Sequence, residues 1–132
     1  MNPPPMLLVA HPGFAEGLLD AAESILGTRP ILDALSNRDL GQEALDARIV
    51  AWLAAHPGPA LILTDLEFGS CCQAARRVTR GRGDVGVVTG VNLPVLLALI
   101  RSRDHASLED LLRHVAERGR SGVEVFLGGV KA

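Results

Sequence analysis

The sequence predicts a three-layer α/β sandwich, in which a mainly parallel sheet lies between two layers of helices. Two wholly apolar runs, Met6–Ala10 and Ala60–Thr64, are typical of strands that are buried on both faces. Segments with apolar residues at helical spacing follow these runs, so strands alternate with helices along the chain. We expect the strand order 2-1-3-4 in the sheet, with a further edge strand near the C-terminus.

Local signals place the individual elements. Apolar residues recur at helical spacing from Leu18 to Leu26, and Gly27 is a plausible C-cap for that helix. Pro57 and Pro59 end the second helix because proline has no N–H to donate. The alternating apolar pattern of residues 122–127 is typical of an edge strand that is half exposed. The predicted strands are 6–10, 30–34, 60–64, 85–89 and 122–127, and the predicted helices are 18–26, 42–55, 70–79, 93–101 and 107–119.

Composition limits the class of protein. The 132 residues have room for a single domain, and 48% hydrophobic with 21% charged residues is ordinary globular composition. We expect a disordered, Pro-rich start at residues 1–5 and one domain over residues 6–132. The net charge of −2 argues against a nucleic-acid binder. The run 6–10 is too short to span a membrane, and the adjacent Cys71 and Cys72 are unsuited to a disulfide, which predicts a reduced, cytoplasmic location.

Chemically capable side chains follow two of the strongest strands. His11 comes directly after the first strand, and Asp65 comes directly after the third. In open α/β sheets ligands bind at the carboxyl ends of the strands, so an imidazole and a carboxylate would face each other there. Ser70 lies near the start of the next helix, where its hydroxyl and free N–H groups suit an anion.

This set of side chains favours phosphoryl transfer to a histidine. A neutral imidazole is a competent nucleophile near pH 7, and a carboxylate on its other ring nitrogen would orient it and stabilise its cationic form. No metal-ligand spacing, P-loop or dinucleotide fingerprint is present, so we expect no metal and no cofactor. Other interpretations stay open, since His11 and Asp65 could be turn residues and Ser70 a helix cap. The remaining histidines are interpreted as solvated surface residues: His56, His105 and His114.

Several short motifs in order resemble one family. The anchors are Leu-Val-Ala-His at residues 8–11 with Ala-Glu-Gly-Leu-Leu at 15–19, Thr-Asp-Leu at 64–66 with Gly69-Ser70, and Thr-Gly-Val-Asn-Leu-Pro at 89–94. Together they resemble the IIA component of the mannose-fructose-sorbose branch of the bacterial sugar phosphotransferase system. The resemblance extends from Met6 to about Leu127.

The resemblance implies roles for individual residues and partners. His11 matches the phosphorylated histidine, Asp65 the carboxylate that hydrogen-bonds it, and Gly69 with Ser70 the phosphate-binding pair. Such a protein takes phosphate from the carrier HPr and passes it to a IIB component, through which it can associate with the membrane components IIC and IID. The family is typically homodimeric, with the last strand crossing to the partner's sheet, which would explain the edge-like residues 122–127.

The chain departs from the family pattern beside the expected site. Phe68 stands where the family has glycine, so we expect a bulky side chain at a backbone position suited to positive φ. Cys71 replaces proline, Glu67 adds a negative charge, and Pro12 removes a backbone donor next to His11. These changes motivate an alternative function: a regulatory interaction protein of the same fold, whose phosphorylation state signals without feeding transport. A third possibility is a phosphotransfer subunit serving dihydroxyacetone kinase, which the motif at residues 90–94 disfavours.

Overall fold

The computed structural model of the chain describes residues 4–102, 105 and 107–132. The strands of the main sheet are β1 (Met6–Ala10), β2 (Asp33–Ser36), β3 (Ala60–Thr64) and β4 (Val85–Val88). The helices are α1 (Phe14–Leu26), α2 (Gln42–Ala55), α3 (Ser70–Val78), α4 (Leu93–Arg101) and α5 (Leu108–Ser121). A separate antiparallel hairpin consists of β5 (Phe126–Leu127) and β6 (Val130–Lys131).

The sheet has the predicted order, β2-β1-β3-β4, and all of its strand pairs are parallel. Alternate residues of the central strands face opposite layers, as the pleat requires. In β1, Leu8 joins the core that packs against α4 and α5, whereas Leu7 and Val9 join the core under α2 and α3. This two-sided burial is the physical reason that β1 and β3 are apolar except for Thr64, the last residue of β3.

The second strand lies at Asp33–Ser36, so the prediction of residues 30–34 was wrong. β2 is the edge of the sheet and three of its four residues are exposed, so it has no apolar run to mark its bounds. Parallel pairing with β1 sets its register instead, with Leu8 opposite Ala34. As a result the strand ends one residue before Asn37, at the edge of the sheet where ligands bind in such folds.

The C-terminal segment does not form the predicted strand over residues 122–127. Within the described chain, only Phe126–Leu127 pairs, with Val130–Lys131, through a tight turn in which Gly128 and Gly129 both have positive φ. Such turns need two positive φ angles, and glycine adopts them without strain. The large apolar side chains of this segment are nonetheless exposed, namely those of Val123, Val125, Phe126, Leu127 and Val130.

Two further predictions concern the chain ends and the membrane. The predicted disordered start falls partly on residues 1–3, which lie outside the described residues, while the carbonyl of Pro5 accepts a 2.9 Å hydrogen bond from the N–H of Leu61. Among the described helices, none is both long enough and apolar enough to cross a membrane.

Candidate functional site

His11 and Asp65 are placed side by side by the pairing of β1 with β3. Val9 lies opposite Thr64 in the parallel register, so the residues that follow these strands emerge at the same edge of the sheet. The chain turns sharply after His11, because Gly13 takes up a left-handed conformation with φ 85° just before α1 begins. The imidazole therefore stands at the carboxyl edge with 47% of its side chain exposed.

Asp65 binds His11 twice through one oxygen atom. Its Oδ2 lies 2.8 Å from His11 Nδ1 and accepts the His11 backbone N–H at 2.9 Å. The other oxygen, Oδ1, accepts the backbone N–H of Leu66 at 3.1 Å. Only 8% of the Asp65 side chain is exposed, so the carboxylate is held firmly in one orientation beneath the exposed ring.

The electrostatics of the pair keep Asp65 ionised. Burial on its own raises the pKa of the Asp65 carboxyl, but the two hydrogen bonds from His11 and the attraction of the His11 charge together outweigh it and bring that pKa below its usual value. An ionised carboxylate can only accept, so the proton between the two side chains belongs to Nδ1 of His11. Whenever the ring is neutral, its lone pair lies on Nε2, which is the nitrogen available as a nucleophile.

Ser70 is the first residue of α3, and Gly69 precedes the helix as its N-cap with φ 91°. Ser70 does not cap the helix, because no side-chain capping hydrogen bond is made there. Its Oγ instead accepts a hydrogen bond from Asn37 Nδ2 at 3.2 Å. A hydroxyl can accept and donate at the same time, so Ser70 can also donate its hydrogen to an anion.

Asn37 is a site residue that sequence reasoning missed. It follows β2 directly, and its backbone N–H donates to the carbonyl of Ala10 at 3.0 Å, next to His11. The rule that ligands bind at the carboxyl ends of strands would have identified it. The misplaced bounds of β2 concealed it, because a strand ending at residue 34 leaves Asn37 inside a loop.

In the loop from residue 65 to 70, Phe68 does not have the positive φ that was expected at its position. Asp39 is the only described residue other than glycine with positive φ, so the Phe68 backbone is unstrained and the left-handed position belongs to Gly69. The Phe68 ring is 63% exposed. The bulky residue is therefore compatible with the loop, and its exposed ring adds apolar surface near the edge of the sheet where His11 lies.

Cys71 brings a third ligand-type side chain to the site. Ligand atoms of His11, Asp65 and Cys71 all lie within 4.8 Å of one another, a set that no sequence spacing indicated. The Cys71 side chain is buried, and burial followed by the nearby charge of Asp65 raises the pKa of its thiol to about 11. The sulfur is therefore protonated at neutral pH.

The prediction that the other histidines are solvated surface residues does not describe them fully, because each contacts a neighbouring side chain or carbonyl. His56 stacks on Trp52 with ring centroids 4.3 Å apart, and its Nδ1 lies 2.8 Å from the Trp52 carbonyl oxygen. His114 Nε2 lies 3.2 Å from Ser102 Oγ, and its ring is 5.0 Å from that of His105. All three histidines are half-buried.

The sequence matches a known family over most of its length. The family model described as "PTS system fructose IIA component" matches residues 5–116. The mannose-specific EIIAB component of the phosphotransferase system from Escherichia coli K12 is 30% identical in an alignment of 127 residues that covers 92% of this chain and 39% of that protein. The chain thus spans less than half the length of that relative. The sorbose-specific EIIA component from Lacticaseibacillus casei is 29% identical, covering 83% of this chain and 81% of that one.

Solved structures agree on the fold. The mannose/sorbose-specific IIA subunit from Enterococcus faecalis superimposes with a TM-score of 0.85 at 24% identity, covering 96% of both chains. At that identity the likeness establishes the α/β sandwich alone.

Proposed function

Since the chain belongs to the fructose IIA component family of the sugar phosphotransferase system, we propose that it is a phosphocarrier whose phosphoryl group resides on His11. It accepts the group from phosphorylated HPr and passes it to a IIB component. The single observation that carries this proposal is the pair of hydrogen bonds between His11 and Asp65 at the carboxyl edge of the sheet.

The transfer step uses the geometry of that pair. Nε2 of His11 attacks the phosphorus, the new N–P bond forms, and the N–P bond of the donor breaks with its electron pair left on the donor nitrogen. The ring gains positive charge during the attack, and the ionised Asp65 that accepts the Nδ1 hydrogen stabilises this charge. Since catalysis of phosphoryl transfer is mainly positioning and electrostatics, a fixed ring and a fixed carboxylate supply much of what is needed.

Ser70 and Gly69 hold the phosphoryl oxygens in this proposal. The Ser70 oxygen accepts from Asn37, and the hydroxyl donates its hydrogen to a phosphoryl oxygen. Both residues lie at the start of α3, where unsatisfied backbone N–H groups and the helix dipole favour an anion. The Ser70 hydroxyl and these backbone N–H groups also stabilise the phosphoryl group during its transfer to the acceptor.

The partners and the assembly follow from the family and from the exposed C-terminal segment. The E. coli relative is named an EIIAB component, which supports a IIB acceptor. Exposed apolar side chains between Val123 and Val130 support a homodimer in which this segment pairs with a second copy. The protein then acts in the cytoplasm, with access to IIC and IID at the membrane through IIB.

Stepwise reconstitution tests the proposal. The chain is incubated with phosphoenolpyruvate, enzyme I and HPr, and its intact mass is measured before and after mild acid treatment. The expected result is one acid-labile phosphoryl group that requires HPr and is lost when a IIB protein is added. A chain that takes up no label, or labels equally without HPr, would exclude the carrier function.

The regulatory alternative would use the same His11, so labelling does not separate the two functions. Growth does, because deletion of a transport component stops growth on at least one sugar, whereas deletion of a regulator leaves uptake intact.

A further inference from the structure

Cys71 brings a sulfur atom close to the His11–Asp65 pair, and the three side chains form a candidate metal site. Their ligand atoms lie within 4.8 Å of one another, and the Nδ1–Oδ2 distance is 2.8 Å. In a tetrahedral zinc site, bonds of 2.0–2.3 Å put neighbouring ligands roughly 3.3–3.8 Å apart. Displacements of about 1 Å or less in each side chain would therefore complete three corners of a tetrahedron.

We propose that His11, Asp65 and Cys71 bind a divalent transition ion of the zinc class, in competition with phosphorylation of His11. One nitrogen, one oxygen and one sulfur ligand form a set that borderline-soft ions accept, and the exposed side of His11 leaves the fourth position open to solvent. Binding releases the Cys71 proton, after which a carboxylate and a thiolate balance the charge of the ion.

The residues around the candidate site favour zinc-class ions and favour Cys71 over Cys72 as the sulfur ligand. A buried cysteine sulfur is a soft ligand that zinc-class ions accept, whereas Mg²⁺ and Ca²⁺ are bound by oxygen ligands. Asp65 is oriented by the backbone N–H groups of His11 and Leu66, as carboxylate ligands in metal sites commonly are. The neighbouring Cys72 is buried too, but its sulfur donates to the carbonyl of Glu67 at 3.4 Å, which makes it a matched control.

Metal binding would block phosphorylation through the ring nitrogens. A neutral imidazole has one lone pair, so a metal on Nδ1 forces the proton onto Nε2, and a metal on Nε2 occupies the nucleophile itself. Either way His11 loses the lone pair that attacks phosphorus. This consequence, unlike the binding itself, rests on the proposed function.

Co²⁺ binding to the full chain tests the site without any phosphotransfer. The wild-type chain, Cys71→Ser and Cys72→Ser are titrated with Co²⁺, and circular dichroism verifies that each is folded. We expect the near-ultraviolet thiolate-to-cobalt absorption, at one ion per chain, for wild type and Cys72→Ser, and its loss in Cys71→Ser. No such band in the wild type, or an equal band in Cys71→Ser, would overturn the proposal.

Zn²⁺ inhibition of labelling tests the competition. For each variant, the ratio of His11 labelling with and without Zn²⁺ is measured while HPr phosphorylation is followed in the same mixture. We expect at least a tenfold fall for wild type, reversed by a chelator, and a much smaller fall for Cys71→Ser. Equal inhibition of both chains with HPr still phosphorylated would refute the competition. A wild-type chain that never labels, even without Zn²⁺, would refute the carrier function and leave the Co²⁺ result standing.

Discussion

Two His–Asp pairs occur among the described residues, at opposite edges of the same sheet. At the carboxyl edge, Asp65 lies 2.8 Å from His11 Nδ1 and is 8% exposed. At the amino edge, Asp33 lies 3.8 Å from His56 Nε2 and is 60% exposed. Asp33 Oδ2 also accepts the indole N–H of Trp52 at 2.6 Å, so His56 shares its nearest carboxylate oxygen with Trp52.

The difference between the pairs shows what the fold adds to a pair of residue types. The strands β1 and β3 bring His11 and Asp65 together, and a backbone N–H as well as the ring fixes the carboxylate. His56 instead stacks on Trp52 and leaves its Asp in solvent, where a single exposed ion pair contributes little. The carboxyl-edge pair is thus preorganised for charge on the ring, and the amino-edge pair is a surface contact.

The largest expected effect is on phosphorylation itself. His11→Ala should abolish the acid-labile label, because the nucleophile is gone, whereas His56→Ala should label as the parent does. Intact mass after reconstitution with HPr measures both, with thermal melting to verify that each variant is folded. Loss of label in His56→Ala, or retention in His11→Ala, would reverse the assignment of the two pairs.

The second effect is on the rate of transfer. Asp65→Asn should slow phosphoryl uptake roughly 10²- to 10⁴-fold, because the neutral amide no longer stabilises the developing charge or fixes the tautomer. Asp33→Asn, the matched change at the amino edge, should alter the rate less than about threefold, since Asp33 is remote from the reacting nitrogen. Rapid-quench kinetics compares the two, and equal rates would mean that Asp65 has no part in the transfer.

A smaller effect is expected from the hydrogen bond between Ser70 and Asn37. Ser70→Ala and Asn37→Ala should each slow transfer roughly tenfold, the loss expected for one hydrogen bond to a charged group. If Asn37 acts by orienting the Ser70 hydroxyl, the double variant should be little slower than Ser70→Ala alone. Fully multiplicative effects in this double-mutant cycle would show that Asn37 acts independently of Ser70.

The smallest effect is on stability and its pH dependence. The pKa of Asp65 is lowered in the folded state, so its ionised form stabilises the fold above the unfolded pKa near 4, and that contribution is lost as pH falls through the lower folded pKa. Asp65→Asn should therefore reduce the free energy of unfolding by about 1–2 kcal/mol at pH 7 and by progressively less below about pH 4. Asp33→Asn should change it by less than about 0.5 kcal/mol at pH 7. Urea unfolding at several pH values checks both.

The residues at the two edges of the sheet were not equally predictable from the sequence. His11 and Asp65 could be predicted because each follows a strand with a continuous run of at least four apolar residues, which burial on both faces requires. Asn37 was missed because the same rule needs the end of β2, and this exposed edge strand leaves no such run, so its bounds depend on pairing with β1. The half-buried state of His56 could not be predicted either, because it depends on a stacking partner one helical turn away.

Tertiary contacts also explain the two remaining surprises. Cys71 is identifiable as a small residue near a helix start, but its distance to His11 depends on how α3 packs over the end of the sheet. The C-terminal residues alternate in sequence as an edge strand does, yet they form only a short hairpin, because a strand needs a neighbour to pair with. A local pattern indicates which side chains a segment can bury, but the segment's packing partner depends on the rest of the fold.

The central claim is that Asp65 leaves Nε2 of His11 as the reacting atom, and the position of the phosphoryl group on the ring tests it most directly. The full chain, labelled with ¹⁵N-histidine, is phosphorylated through HPr and its ring nitrogens are assigned by NMR. We expect the phosphoryl group on Nε2 of His11, with Nδ1 still protonated and hydrogen-bonded to Asp65. A phosphoryl group on Nδ1, or on any other residue, would contradict the claim.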